Sequence, residues 1–141
     1  MPPAGGSAAG LVVERLHAAM NAHDLDAFLD CFHDDYGSEQ PAHPGRQFGG
    51  IEQVRANWSV IFSGVPDFRS DLVRATAAND TEWSEWRWQG TRADGTRLDV
   101  AGVIICGVHD GRIGWGRLFM EPVEEQEEGI EAAVRRMSQG E

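Results

Sequence analysis

The first half of the chain repeats apolar residues with the period of an α-helix in three segments. Residues 11–20, 25–32 and 51–62 carry apolar side chains three or four positions apart, which places them on one face of a helix. Asp24 precedes the second segment and can cap it, and glycine and proline follow the third. We therefore expect three amphipathic helices, of which the second ends near residues 33–35.

The second half of the chain has the pattern of β-strands. Residues 68–76, 81–91, 97–108 and 112–123 are rich in β-branched and aromatic side chains. Short turns of Asn, Asp and Gly separate them, as in hairpins, so the pattern predicts an antiparallel meander. Residues 36–48 contain two prolines and predict only a short strand followed by a loop.

This order of elements predicts an α+β domain, with three N-terminal helices packed on a curved antiparallel β-sheet. A chain of 141 residues has the size of one domain, which we place at residues 11–123. Residues 1–10 are expected to be a disordered N-terminus. Residues 124–141 form an acidic tail, for which a short helix and a disordered segment are equal alternatives.

The charge of the chain excludes some classes of partner. Its 12 basic residues are all arginine and its 23 acidic residues bring the net charge to −11. Nearly half of that excess lies in residues 121–141. A negative field of this kind repels phosphate backbones and anionic head groups, so we expect neither nucleic acid nor membrane as a partner.

The sequence carries no sign of a membrane span, a secretory signal or a metal site. No apolar run approaches the length that crosses a bilayer, and the first ten residues lack a basic start and an apolar centre. We therefore expect a cytoplasmic protein in which Cys31 and Cys106 are reduced core thiols. No histidine or cysteine spacing is typical of zinc and no glycine-rich phosphate loop is present, so we expect no metal and no cofactor.

Four short motifs resemble those of a known family. They are Asn-Ala-His-Asp-Leu-Asp-Ala-Phe at residues 21–28, Phe-Gly-Gly-Ile at 48–51, Val-Pro-Asp-Phe at 65–68 and Asp-Gly-Arg-Ile at 110–113. Together with the order of elements, they resemble the SnoaL-like branch of the nuclear transport factor 2-like (NTF2-like) superfamily over residues 11–123. The resemblance implies a cone-shaped fold with a pocket between helices and sheet. The superfamily includes polyketide cyclases, ketosteroid isomerases, limonene epoxide hydrolases and non-catalytic binding proteins, so the fold alone does not identify the reaction.

The last strand departs from the family pattern. In the cyclases and epoxide hydrolases that the chain resembles, an acid-base carboxylate follows the Gly-Arg-Ile turn by a few residues. Aligning the turns places Leu118 at that position. A one-residue bulge at the glycines of this strand would instead turn Arg117 towards the pocket.

The strand at residues 81–91 offers a pair of charged residues for chemistry. Alternation places Trp83, Glu85, Arg87 and Gln89 on one face and Ser84, Trp86 and Trp88 on the other. Glu85 and Arg87 resemble the arginine and aspartate with which related epoxide hydrolases activate water, with the signs in reversed order. We expect Glu85 to act as the base, and Arg87 and Arg117 to stabilise an anion. The alternative is a cross-strand ion pair on an exposed or dimer-facing surface.

Further residues are expected to shape the pocket. The predicted substrate-binding residues are Tyr36, Gln40, His43, Trp58, Phe62, Trp83, Leu118 and Met120. Among them His43 is the histidine best suited to proton transfer, because its ordinary pKa lies near ~6.5.

We therefore predict a SnoaL-like small-molecule enzyme that carries out cofactor-independent acid-base chemistry on a hydrophobic, oxygenated substrate. The two arginines would allow that substrate to be anionic. The alternatives are an epoxide hydrolase or epoxide-opening cyclase, and a non-catalytic ligand-binding or dimerisation module. Exposed tryptophans and β-branched residues on the sheet also predict a homodimer through its open face.

Overall fold

The computed structural model describes residues 10–140. Its helices are α1 (Val12–Ala22), α2 (Leu25–Leu29), α3 (Ile51–Gly64) and α4 (Ile130–Ser138), with a short 3-10 turn at Pro44–Arg46. Its strands are β1 (Phe32–Glu39), β2 (Phe48–Gly49), β3 (Arg69–Ala78), β4 (Thr81–Thr91), β5 (Arg97–His109) and β6 (Arg112–Pro122). Residues 1–9, most of the segment expected to be disordered, lie outside the described part of the chain.

The six strands form one mixed sheet in the order β2-β1-β6-β5-β4-β3. The antiparallel meander from β3 to β6 is confirmed, and its hairpins turn at residues with positive φ, such as Asn79 and Asp110. The prediction of a wholly antiparallel sheet is wrong, because β1 runs parallel to β6. The four-residue gap in pairing between Phe32 and Gly37 of β1 makes this contact irregular.

The second helix is shorter than predicted. Asp24 caps α2 as expected, with its carboxylate accepting a hydrogen bond from the Ala27 amide at 3.1 Å, but the helix ends at Leu29. Phe32 continues the apolar stripe of this helix in the sequence, yet it begins β1, where pairing with β6 supplies its backbone partner. Tertiary pairing thus overrides the local helical pattern.

Helix α1 is fixed to the sheet near both ends. At its start the two carboxylate oxygens of Glu82 on β4 accept hydrogen bonds from the backbone amides of Val12 and Val13, each at 2.9 Å. Near its end, the Asn21 side chain accepts a hydrogen bond from the Ser70 amide of the edge strand β3 at 2.8 Å. These contacts hold the helix across the concave face of the sheet and satisfy backbone groups of an edge strand.

The two faces of the sheet differ. Helices α1, α2 and α3 cover the concave face, where Trp86 and Phe28 are almost fully buried. The outer face exposes large apolar side chains, among them Trp83, Trp115 and Phe119. Within residues 10–140, no helix has the length and apolar character required to cross a membrane.

The acidic tail contains a helix. Of the two alternatives that the sequence left open, the structure shows α4, with Glu131 in its first turn and Arg135 and Arg136 in its last turn, as the helix dipole favours. Its apolar residues Ile130 and Val134 lie exposed.

Candidate functional site

A cavity of about 460 Å³ lies between the concave face of the sheet and helices α1, α2 and α3. Its size is that of pockets which bind drug-sized molecules. Most of the wall is apolar, and this part is formed by Leu16, Met20, Phe28, Phe32, Phe48, Val54, Trp58, Val60, Ile61, Trp88, Ile104, Ile113 and Leu118. The polar side chains in the wall are Tyr36, Ser38, Gln40, Asn57 and Cys106.

Tyr36 supplies a buried hydroxyl to the wall. The residue is 5% exposed, and its ring packs edge-on against Phe32 with the centroids 4.8 Å apart. The hydroxyl lies over Gly116 of β6, where a Cβ atom would overlap it, so the glycine makes room for the phenol. Burial raises the pKa of Tyr36 to about 12, although a hydrogen bond with Ser38 opposes this shift. At neutral pH the phenol is therefore protonated.

Cys106 is the second titratable group in the wall. It is 1% exposed, and burial raises the pKa of its thiol to about 12, with a further contribution from the nearby Glu82 carboxylate. The thiol is therefore neutral and a poor nucleophile at physiological pH.

Gln40 lies where the cavity wall meets the loop after β1. Its side-chain oxygen accepts a hydrogen bond from the Arg46 guanidinium at 2.9 Å. Arg46 itself is exposed and is not part of the wall. The cationic guanidinium of Arg46 therefore contacts the Gln40 amide without being part of the cavity wall.

An aromatic cluster forms the wall on the side of α3. Trp58 packs against Phe28 with ring centroids 4.6 Å apart, and edge-on against Trp88 at 5.6 Å. The indole N–H of Trp88 is buried and has no hydrogen-bond partner among the described residues. These rings give the cavity a rigid apolar surface.

Glu85 and Arg87 lie outside this cavity. The alternation predicted for β4 is correct, but the face with Trp83, Glu85 and Arg87 is the outer one. There the Glu85 carboxylate pairs with Arg74 of β3 at 2.9 Å. Arg87 donates two hydrogen bonds, at 2.6 and 2.8 Å, to Asp99 of β5, and this contact lowers the pKa of that carboxyl. Asp99 is thus paired and only partly exposed.

The other charged candidates also have partners outside the cavity. Arg117 donates to Glu39 of β1 at 2.6 Å and does not approach Glu85. His43 contacts the Glu121 carboxylate at 2.8 Å, and both side chains are partly exposed. The structure therefore does not bring Glu85, Arg87 and Arg117 together, nor does it place any of them in the cavity wall.

Several of the predicted binding residues do meet at the cavity. Tyr36, Gln40, Trp58 and Leu118 line it. Phe62 packs beside Trp58 without contributing to the wall, with the ring centroids 5.6 Å apart. Met120 is buried on the same side of the sheet, beyond the wall.

A bulge decides which residues of β6 face inward. Val108 pairs with Ile113 and Gly107 with Trp115, so Gly114 is the extra residue. The bulge that the sequence allowed is therefore present, but its effect is opposite to the one expected, since it turns Leu118 towards the cavity and Arg117 outward.

Asn57 and Cys106, two polar residues of the wall, were not predicted as part of the site. Asn57 lies three residues after Val54 and four before Ile61, so its place on the inward face of α3 follows from helical spacing. Cys106 shares its strand face with Ile104, which alternation could have shown. Among residues 10–140, no group of three or more His, Cys, Asp or Glu side chains is arranged to hold a metal ion.

Comparison with known proteins places the fold among related structures. A family model described as a SnoaL-like domain matches residues 13–114. The sequence has no significant match among curated proteins.

Solved structures give the same fold at low sequence identity. An NTF2-like protein of unknown function from Exiguobacterium sp. 255-15 is 19% identical with a TM-score of 0.67, over 79% of this chain and 99% of the other. A protein from Jannaschia sp. CCS1, provisionally assigned as a SnoaL-like polyketide cyclase, is 24% identical with a TM-score of 0.66, over 78% of this chain and 83% of the other. A hypothetical protein from Catenulispora acidiphila with a ketosteroid isomerase-like fold, in complex with trimethylamine, is 16% identical with a TM-score of 0.67, over 77% of this chain and 83% of the other. At these identities the similarity establishes the fold alone.

Proposed function

Because this chain belongs to the SnoaL-like domain family, we propose that it binds a hydrophobic, oxygenated molecule in its cavity and promotes proton transfer on that molecule without a cofactor. A polyketide or terpenoid intermediate is a substrate of this type. The observation that carries the proposal is the protonated Tyr36 hydroxyl in the wall of a large apolar cavity.

Tyr36 provides a hydrogen-bond donor at the place where charge develops. When a proton leaves the carbon next to a carbonyl, the electron pair moves onto the carbonyl oxygen and gives an enolate. A fixed donor in a site with little water stabilises that oxygen more in the transition state than in the ground state. Its raised pKa keeps the phenol protonated, so it donates and does not compete for the proton.

The described part of the wall contains no carboxylate and no histidine. In the proposed reaction the proton is therefore accepted by water or by a basic oxygen of the substrate. This limits the chemistry to substrates whose carbon acid is already activated, such as a compound with two neighbouring carbonyl groups.

A second candidate is ligand binding without turnover. It is supported by Leu118, an apolar side chain at the wall position where the resemblance implied a carboxylate. An epoxide hydrolase has less support, because Glu85 and Arg87 are paired with Arg74 and Asp99 on the outer face.

Replacing Tyr36 with phenylalanine tests the proposed donor. We expect wild type to accelerate the exchange of α-hydrogens for deuterium in benzoylacetone, a hydrophobic diketone, dissolved in D₂O and followed by NMR. In Tyr36→Phe the exchange should fall by about 10²-fold, because one oxyanion donor is lost, while the affinity for the diketone changes little.

A matched control is Thr76→Val, which removes an exposed hydroxyl from β3 and should leave the exchange rate unchanged. Equal exchange by wild type and Tyr36→Phe would contradict the role of Tyr36. Binding of benzoylacetone with no exchange above the buffer rate would favour the second candidate.

We also propose that the outer face of the sheet pairs with a second copy of the chain. Five large apolar side chains are exposed there, namely Val73, Trp83, Val103, Trp115 and Phe119. The charged residues between them form ion pairs within the chain, such as Glu85 with Arg74, so two identical faces can meet without strong repulsion.

Sedimentation velocity tests this dimer. Wild type is expected to sediment as a dimer at micromolar concentration, and Trp83→Glu as a monomer, because it places an unpaired charge in the apolar face. Ala56→Glu puts the same charge on the exposed side of α3 and should remain dimeric. A wild-type monomer at that concentration would rule out a stable dimer.

A further inference from the structure

The described residues of the cavity wall carry no charge at neutral pH, and this property indicates which class of ligand the cavity binds. Among the described residues that form the wall, the only titratable side chains are Tyr36 and Cys106. Both are uncharged at neutral pH, because burial raises each pKa to about 12. The remaining polar groups of the described wall are a serine hydroxyl, two amides and the indole N–H groups of Trp58 and Trp88. These groups donate and accept hydrogen bonds but cannot balance a charge.

The nearest buried charge is negative. The Glu82 carboxylate is 5% exposed and interacts with the Cys106 thiol closely enough to contribute to its raised pKa. Both of its oxygens are engaged by the first amides of α1, so the carboxylate is held in place. Its field opposes the entry of an anion from the side of Cys106.

The positively charged arginine side chains lie outside the described cavity wall. Arg87 and Arg117, which the sequence suggested as anion-binding residues, are paired with Asp99 and Glu39 on the outer face. Arg46 is exposed and donates a hydrogen bond to the side-chain oxygen of the wall residue Gln40. An anionic group inside the cavity would therefore have no cationic partner among the described residues of the wall.

We propose that the cavity selects uncharged ligands, with an apolar body and a carbonyl or hydroxyl oxygen, and rejects the carboxylates and phosphates of the same skeleton. This inference rests on the proposed function of the cavity and specifies its substrate class. An ionised carboxylate that enters this cavity loses its hydration, and neutral donors such as Tyr36 replace only part of it, because no cation among the described wall residues balances the charge. Such a ligand binds in its protonated form instead, and the protonation cost lowers its affinity.

A matched pair of ligands tests the selection. Methyl octyl ketone and decanoate have the same number of carbon atoms and differ in charge at neutral pH. Titration calorimetry on the full chain should show an affinity for the ketone that does not vary between about pH 6 and pH 8. The affinity for decanoate should be weaker at neutral pH and should fall by about tenfold for each pH unit over that range, because only the protonated acid enters.

Arg46→Gln tests whether the cation that is hydrogen-bonded to Gln40 helps the cavity to accept an anion. On the proposed account, this variant binds both ligands as wild type does. The inference is overturned if wild type binds decanoate as tightly as the ketone and independently of pH. If Arg46→Gln then loses the binding of decanoate, Arg46 is the cation that accepts the anion. If neither ligand binds, the proposed function of the cavity fails, and this inference fails with it. If both ligands bind with equal affinity, the inference about ligand charge is overturned, while the proposed function of the cavity stands.

Discussion

Replacing Glu82 with alanine is expected to lower the free energy of unfolding by about 2–3 kcal/mol. The carboxylate is buried and accepts hydrogen bonds from the amides of Val12 and Val13, which have no partner inside helix α1. Leu11 precedes the helix and offers no side-chain cap, so Glu82 is the side chain that completes this end. Its negative charge also complements the positive end of the helix dipole.

Urea denaturation of three variants separates this cap from a general effect of removing a carboxylate. Glu85→Ala is the control on the same strand as Glu82, and it removes an exposed carboxylate that pairs with Arg74. It should lower the free energy of unfolding by less than about 1 kcal/mol. Glu82→Gln keeps a hydrogen-bond acceptor but loses the charge, so its loss of stability should lie between those of Glu82→Ala and Glu85→Ala. Equal stability losses in Glu82→Ala and Glu85→Ala would contradict the assignment of Glu82 as the cap of α1.

Much of the fold was predictable because its elements carry strong local signals. The helical stripes of α1 and α3 and the hairpin turns at Asn79 and Asp110 specify their elements through spacing and turn chemistry. The parallel pairing of β1 with β6 was not predictable in this way. Residues 33–35 are polar and show no alternation, and the partner strand lies about eighty positions away in the sequence. Long-range pairing of this kind leaves no local pattern.

The candidate site was predicted only in part, for a different physical reason. Alternation on β4 correctly separated Glu85 and Arg87 from Trp86 and Trp88, but it does not show which face becomes concave. The buried acid on the aromatic face, Glu82, was an available signal, because an unpaired carboxylate among tryptophans needs a partner from another element. On β6, the bulge at Gly114 turns Leu118 inward and Arg117 outward, and the direction of this effect depends on the pairing with β5.

Blocking the cavity is expected to have the largest effect on ligand binding. Leu118 lines the cavity, so the larger side chain of Leu118→Trp would occupy the space that the ligand needs. We expect the affinity for methyl octyl ketone to fall at least about tenfold, which corresponds to about 1.4 kcal/mol. The added ring enters an open volume of about 460 Å³, so the domain should still fold, as circular dichroism can verify.

Phe119→Trp is the matched control, because the next residue on the same strand is exposed on the opposite face of the sheet. The measurement that most directly tests whether function resides in the cavity is therefore ketone affinity by titration calorimetry in Leu118→Trp and Phe119→Trp. The predicted result is a loss of at least about tenfold in Leu118→Trp with wild-type affinity in Phe119→Trp. Unchanged affinity in Leu118→Trp together with a loss in Phe119→Trp would contradict the account and move the ligand site to the outer face.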